Sequence, residues 1–129
     1  MAGNSKAISF NGVRFSIPTD VEPLISIGST AAVEGVDAMG DGNTIAKENL
    51  VLGAIEGMVV DIDDSGRLET LTELSETENL SVVYEGNRKT YVGTCRIIPG
   101  EEGIRLNQKT GRSEPFMVKV TQGVKFKTL

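Results

Sequence analysis

Histidine and tryptophan are missing from this chain of 129 residues, cysteine occurs once, and the aromatics are two Tyr and four Phe. Without histidine there is no Ser-His-Asp or Cys-His catalytic device, no imidazole metal site and no imidazole switch near neutral pH. The lone cysteine excludes a disulfide within the chain and a thiolate zinc cage. So few aromatics leave little to stack on a sugar ring or an unpaired base. No apolar run approaches the ~20 residues of a membrane-spanning helix. The opening MAGNSKAISF has no signal-peptide core, so the chain is expected to be soluble and made in a cytoplasm. Cations are in deficit, with 13 Lys and Arg against 18 Asp and Glu and a net charge of −5. A surface negative overall repels phosphate, which argues against general nucleic-acid binding.

The length is that of one domain, taken here as residues 1–129, able to build a core without disulfides. Glycine is abundant, at 15 residues, and signals many turns and bends. Ile8–Phe10 and Val13–Ile17 alternate around Asn11-Gly12, the strongest short hairpin signal. Pro18 then ends the strand or marks an edge, and a short strand around Leu24–Ile27 follows. Residues 28–43 have neither helical nor strand periodicity and read as one long loop. A loop so long is usually functional, and its apolar Val33, Val36 and Met39 suit contact with a neighbouring subunit. Leu50–Ile62 reads as one long strand, apolar on both faces and bent at Gly53 and Gly57. Leu68, Leu71 and Leu74 then predict an amphipathic helix over 65–76, with Asp64 or Ser65 as its cap. Leu80–Tyr84 and Thr90–Ile98 form a strand pair around Gly86-Asn87. Ile104–Asn107 and Phe116–Val120 flank a turn at Lys109–Arg112. Val124–Phe126 reads as a final edge strand, guarded by Lys119, Lys125 and Lys127. Cys95, within an apolar stretch, is expected to be a small buried side chain. The fold class expected is mainly β, an antiparallel β-barrel or sandwich with one flanking α-helix.

Motifs for chemistry are thin. Asp61, Asp63, Ser65 and Gly66 fit the first positions of a calcium loop, but Thr72 stands where a bidentate glutamate is required, and a strand replaces the leading helix. The preferred reading is a strand-to-helix turn with carboxylates at the helix start; calcium is the lesser one. The glycines of 28–42 lack the lysine and spacing of a phosphate loop. No two carboxylates are marked as a glycosidase pair. We expect no catalytic residue, no cofactor and no enzyme. Charge is uneven instead, acidic over 61–78 and basic over 105–127, which lets copies of one chain attract each other.

The succession of an Asn-Gly hairpin, a Gly/Ala-rich loop, a long bent strand, the Leu68–Leu71–Leu74 helix, the 80–84/90–98 strand pair and a closing hairpin resembles the tail-tube proteins of contractile-tailed bacteriophages. The resemblance implies a structural virion protein of the tail, assembled in the cytoplasm of a host bacterium. Six copies would form a ring, and rings would stack into a hollow tube through which DNA passes without specific binding. It implies a homo-oligomer with sheath, baseplate and tail-terminator partners, in which the long loop reaches a neighbouring subunit. Val33, Val36, Met39 and Ile45 are the subunit-contact candidates. The alternative is another tail, baseplate, terminator or head-decoration protein, monomeric until docked.

Overall fold

The computed structural model describes residues 6–33, 47–62 and 65–129. Strands β1 (Lys6–Phe10) and β2 (Val13–Ile17) pair antiparallel across the expected turn. Asn11 and Gly12 both hold positive φ, 52° and 86°, as the mirror-image two-residue turn requires. β3 (Leu24–Ser26) is short, as expected. The remaining elements are β4 (Ser29–Val33), β5 (Lys47–Val51), β6 (Ala54–Met58), helix α1 (Ser65–Ser75), β7 (Leu80–Glu85), β8 (Thr90–Ile98), β9 (Leu106–Asn107), β10 (Arg112–Ser113) and β11 (Phe116–Thr128). Seven strands form one antiparallel sheet in the order β2-β1-β7-β8-β11-β6-β3. Two small ribbons, β4-β5 and β9-β10, stand beside it. The protein is therefore mainly antiparallel β, with one helix among the described residues. The ladder itself runs open from β2 to β3, although the Asp61 N–H donates to the Ser16 carbonyl of β2 at 2.9 Å.

Three expectations need correction. Residues 29–33 are not loop: they are β4, paired residue by residue with β5 from Ser29↔Val51 to Val33↔Lys47. The long strand Leu50–Ile62 is two strands, broken at Leu52-Gly53. At Gly53 a side chain would meet the Ile27 carbonyl oxygen at 2.6 Å and the Phe126 ring at 2.8 Å. Its N–H donates to the Val124 carbonyl and its carbonyl accepts from Val120 N–H, so Gly53 is wedged between the 27–28 and 120–126 segments rather than extended along one strand. Nor is this stretch apolar on two faces. Between Met58↔Phe116 and Ile55↔Val118 the register slips by one residue, at Gly57 with φ 73°. That bulge switches the alternation, so Ile55, Met58, Val60 and Ile62 all turn into one core.

The third correction concerns the C-terminal region. Phe116–Val120 does not pair with Ile104–Asn107; the turn at Lys109–Arg112 joins only the two-residue strands β9 and β10. Phe116–Thr128 is one strand, interior to the sheet, with β8 on one side and β6 on the other. Nor is Val124–Phe126 a free edge, since Val124 O accepts from Gly53 N–H at 2.8 Å and Phe126 N–H donates to Ile27 O at 2.9 Å. The 80–84/90–98 pair stands as expected, from Leu80↔Cys95 to Glu85↔Thr90.

One hydrophobic cluster holds these elements together, with Phe10, Phe15, Phe116, Ile8, Ile55, Leu71, Leu80, Val118 and Phe126 among its members. Burying each large side chain contributes roughly 1.5–3 kcal/mol. Helix α1 puts Leu71 fully inside and packs Leu68 and Leu74 against the cluster, the stripe the leucine spacing predicts. Hydroxyls tie off its last turns: Thr72 Oγ1 donates to Leu68 O at 2.8 Å and Ser75 Oγ to Thr72 O at 2.6 Å.

Candidate functional site

The two edges of the main sheet are treated differently. In β2 the carbonyls of Arg14 and Ser16 point away from β1, because Phe10↔Val13 closes a two-residue turn and alternate residues then face outward. Both outward carbonyls are occupied. The Arg67 guanidinium of α1 donates to Arg14 O and lies 5.0 Å from the centre of the Phe15 ring, and Asp61 N–H caps Ser16 O. At the other side, β3 pairs with β6 and with nothing beyond it among the described residues. Here apolar side chains are exposed, Leu24 by 71% and Ile27 and Val51 each by 42%. An open edge with uncovered apolar side chains is the usual signature of a contact surface.

The β4-β5 ribbon rises from the same corner. Its base is fixed at Gly28 and Gly53. Phe126 N–H donates to Ile27 O at 2.9 Å, and a Cβ on Gly28, at φ 106°, would collide with the Val124 carbonyl. Among the described residues, the ribbon beyond that base pairs only with itself. Of the residues the sequence singles out for subunit contact, Val33 is the last residue of β4, opposite Lys47. Val36, Met39 and Ile45 lie outside the described residues.

Residues with chemical potential are scattered. Asp61 sits half-buried in an isolated bridge with Arg112, while Asp63 and Asp64 of the calcium-like run lie outside the described residues. Among the described residues no three acidic or cysteine side chains gather as a metal cage. Cys95 is fully buried, as expected, and burial pushes its thiol up to about 12. Asp20 is held below the usual carboxylate range by the hydrogen bond from Arg112, 3.0 Å long at the surface. Lys6, only 6% exposed, donates to Val21 O at the rim of a small hollow of about 200 Å³ shared with Glu22, Pro23, Tyr84 and Asn87. Tyr84 stacks on Tyr91 with ring centres 5.9 Å apart, and burial first, then Tyr91, raises its pKa.

Sequence reading missed Ser113. Its buried hydroxyl accepts from Val60 N–H at 3.0 Å, and its own N–H donates to Val60 O at 2.8 Å, so one serine replaces a strand partner where β6 ends. Nothing in its neighbourhood, an Arg-Ser-Glu run, distinguishes it from a surface serine. No described helix is long and apolar enough to cross a membrane. The chain matches no family model, no curated protein and no solved structure.

Proposed function

We propose that this chain is a structural, self-assembling protein, the subunit of a phage tail tube whose copies form rings that stack around a DNA channel. The observation that carries the reading is the corner where the open β3 edge, exposed Leu24, Ile27 and Val51, and the self-paired β4-β5 ribbon meet. An isolated two-stranded ribbon is marginal in water and gains stability when a neighbour covers it. In this reading the ribbon, with the 34–46 stretch that joins its strands in sequence, is the arm that reaches the next copy. Val33, Val36, Met39 and Ile45 supply its contacts. Function is then assembly, with no bond made or broken, and sheath, baseplate and terminator proteins are the further partners in a virion tail. The net charge of −5 suits a conduit that must not hold phosphate.

Electron microscopy and light scattering of the purified protein at rising concentration test the reading. Hollow rings or tubes with a regular repeat are the expected result. Replacing residues 30–50 by a short Gly-Ser link should leave a folded monomer, because the seven-stranded sheet does not include the ribbon. Tubes formed normally by that variant would remove the ribbon from the interface. A monomer at every concentration, for the unaltered chain, would favour a docked baseplate or decoration component.

A further inference from the structure

Two surfaces of the molecule carry charge arranged against itself. On the sheet, Lys119 of β11 stands directly opposite Arg96 of β8. Both are exposed, while Val118, Val120, Cys95 and Ile97 beside them are buried, so the two cations project from the face turned away from the core. Like charges directly opposed weaken a ladder. Neither cation enters an ion pair among the described residues. The nearby acids are Glu76, which lines the same hollow as Arg96, and Glu56, two residues along β6 from the Lys119 partner Ala54.

The helix shows the opposite sign. Glu69, Glu73 and Glu76 follow one another at steps of four and three residues, a single row along α1 and the residue just past its end. All three are exposed, and none forms an ion pair among the described residues. Like charges four residues apart destabilise a helix. The cation of this helix, Arg67, is turned the other way, onto Phe15 and Arg14 O.

Each surface supplies what the other lacks. We propose that the Glu69–Glu73–Glu76 row of one copy docks on the Arg96–Lys119 face of a second copy. The inference rests on the self-assembly reading and names a contact separate from the ribbon. Where the contact is not returned about a two-fold axis, it closes a ring or propagates a stack. Apolar footing lies beside the cations. Ile98, 41% exposed, and Pro99 form a ridge between two open hollows of about 540 and 460 Å³, the second reaching Met117 and Gly57.

A charge swap tests it. R96E/K119E, at two exposed positions, should keep the circular dichroism of the unaltered chain and raise the concentration needed for association by about tenfold or more. E69K/E73K should do the same alone, and an equimolar mixture of the two variants should associate again, with copies alternating. Association of the unaltered chain should weaken between roughly 0.01 M and 1 M salt, as the Debye length shrinks from roughly 30 to 3 Å. If R96E/K119E assembles as readily as the unaltered chain, the inference is overturned and the assembly reading stands. If the mixture is not rescued, the helix is not the occupant. An unaltered chain that stays monomeric overturns both, as does one that instead binds duplex DNA and loses that binding in R96E/K119E.

Discussion

At the scale of single residues, Ser113 is the most exposed to test. Its hydroxyl satisfies a buried N–H, and Ser113→Ala removes the acceptor while leaving Val60 N–H inside. A buried donor left unsatisfied costs about 1–3 kcal/mol, so the variant's urea midpoint should fall by a corresponding amount with little change in slope. A loss under about 0.5 kcal/mol would mean that water replaces the hydroxyl. Cys95 predicts a pH dependence. Its folded thiol titrates at about 12, against about 8.5 in an unfolded chain. Above about pH 8.5 the unfolded state releases a proton that the folded state retains, so stability falls as pH rises through this window, by up to about 1.4 kcal/mol per pH unit. Urea melts at about pH 8 and about pH 10 should show that decline, and Cys95→Ala should flatten it. The remaining slope includes Tyr84, which burial shifts in the same direction. Burial of Cys95 was legible because its neighbours are apolar. The role of Ser113 was not, because a side-chain bond over 53 positions leaves no local pattern.

At the scale of elements, legibility followed local chemistry. Asn11-Gly12 specifies its own turn, and the leucine spacing of α1 specifies its own buried face, so both were readable. The stretch Leu50–Ile62 misled because a bulge makes a one-sided strand look two-sided: Ile55 and Met58 have opposite parity, yet both are buried. β4 was missed because Ser-Thr-Ala-Ala-Val carries no alternation, and its only partner lies beyond residue 46. Gly53, read as a bend, is a crossing point. Gly53→Ala should therefore destabilise by about 1–3 kcal/mol, since the added carbon meets the Ile27 carbonyl and the Phe126 ring rather than open space. Gly57→Ala is the comparison, as its site is open and only its positive φ resists, for about 1 kcal/mol. Thermal unfolding of the pair separates crowding from backbone strain, and equal losses would refute the crossing argument.

For the whole molecule, the charge asymmetry read from the sequence resolves into two placed surfaces. Of the acidic stretch, Glu69, Glu73 and Glu76 form a row on α1 and just past its end, but the basic tail divides. Arg105 and Arg112 are committed to Glu102 and Asp20, Lys109, Lys125 and Lys127 lie elsewhere along the chain, and Lys119 meets Arg96 on the sheet face. Arg96 lies outside the basic stretch, and only strand pairing brings it there. Which copies meet, and at which edge, could not be read from the chain, because an edge exists only once the sheet order is known.

That order sets a valence. A strand that adds to a sheet consumes one free edge, and a ring of sheets consumes two per copy. Among the described residues the main sheet keeps one edge with no capped carbonyl, β3, while the outward carbonyls of β2 are spent on Arg67 and Asp61. Main sheets joining edge to edge would therefore stop at two copies. Beside the main sheet, β9 and β10 hold two residues each and β4 and β5 five each, so the longer second edge for a backbone ladder around a ring is that of the β4-β5 ribbon, the link that decides between a closed pair and a polymer.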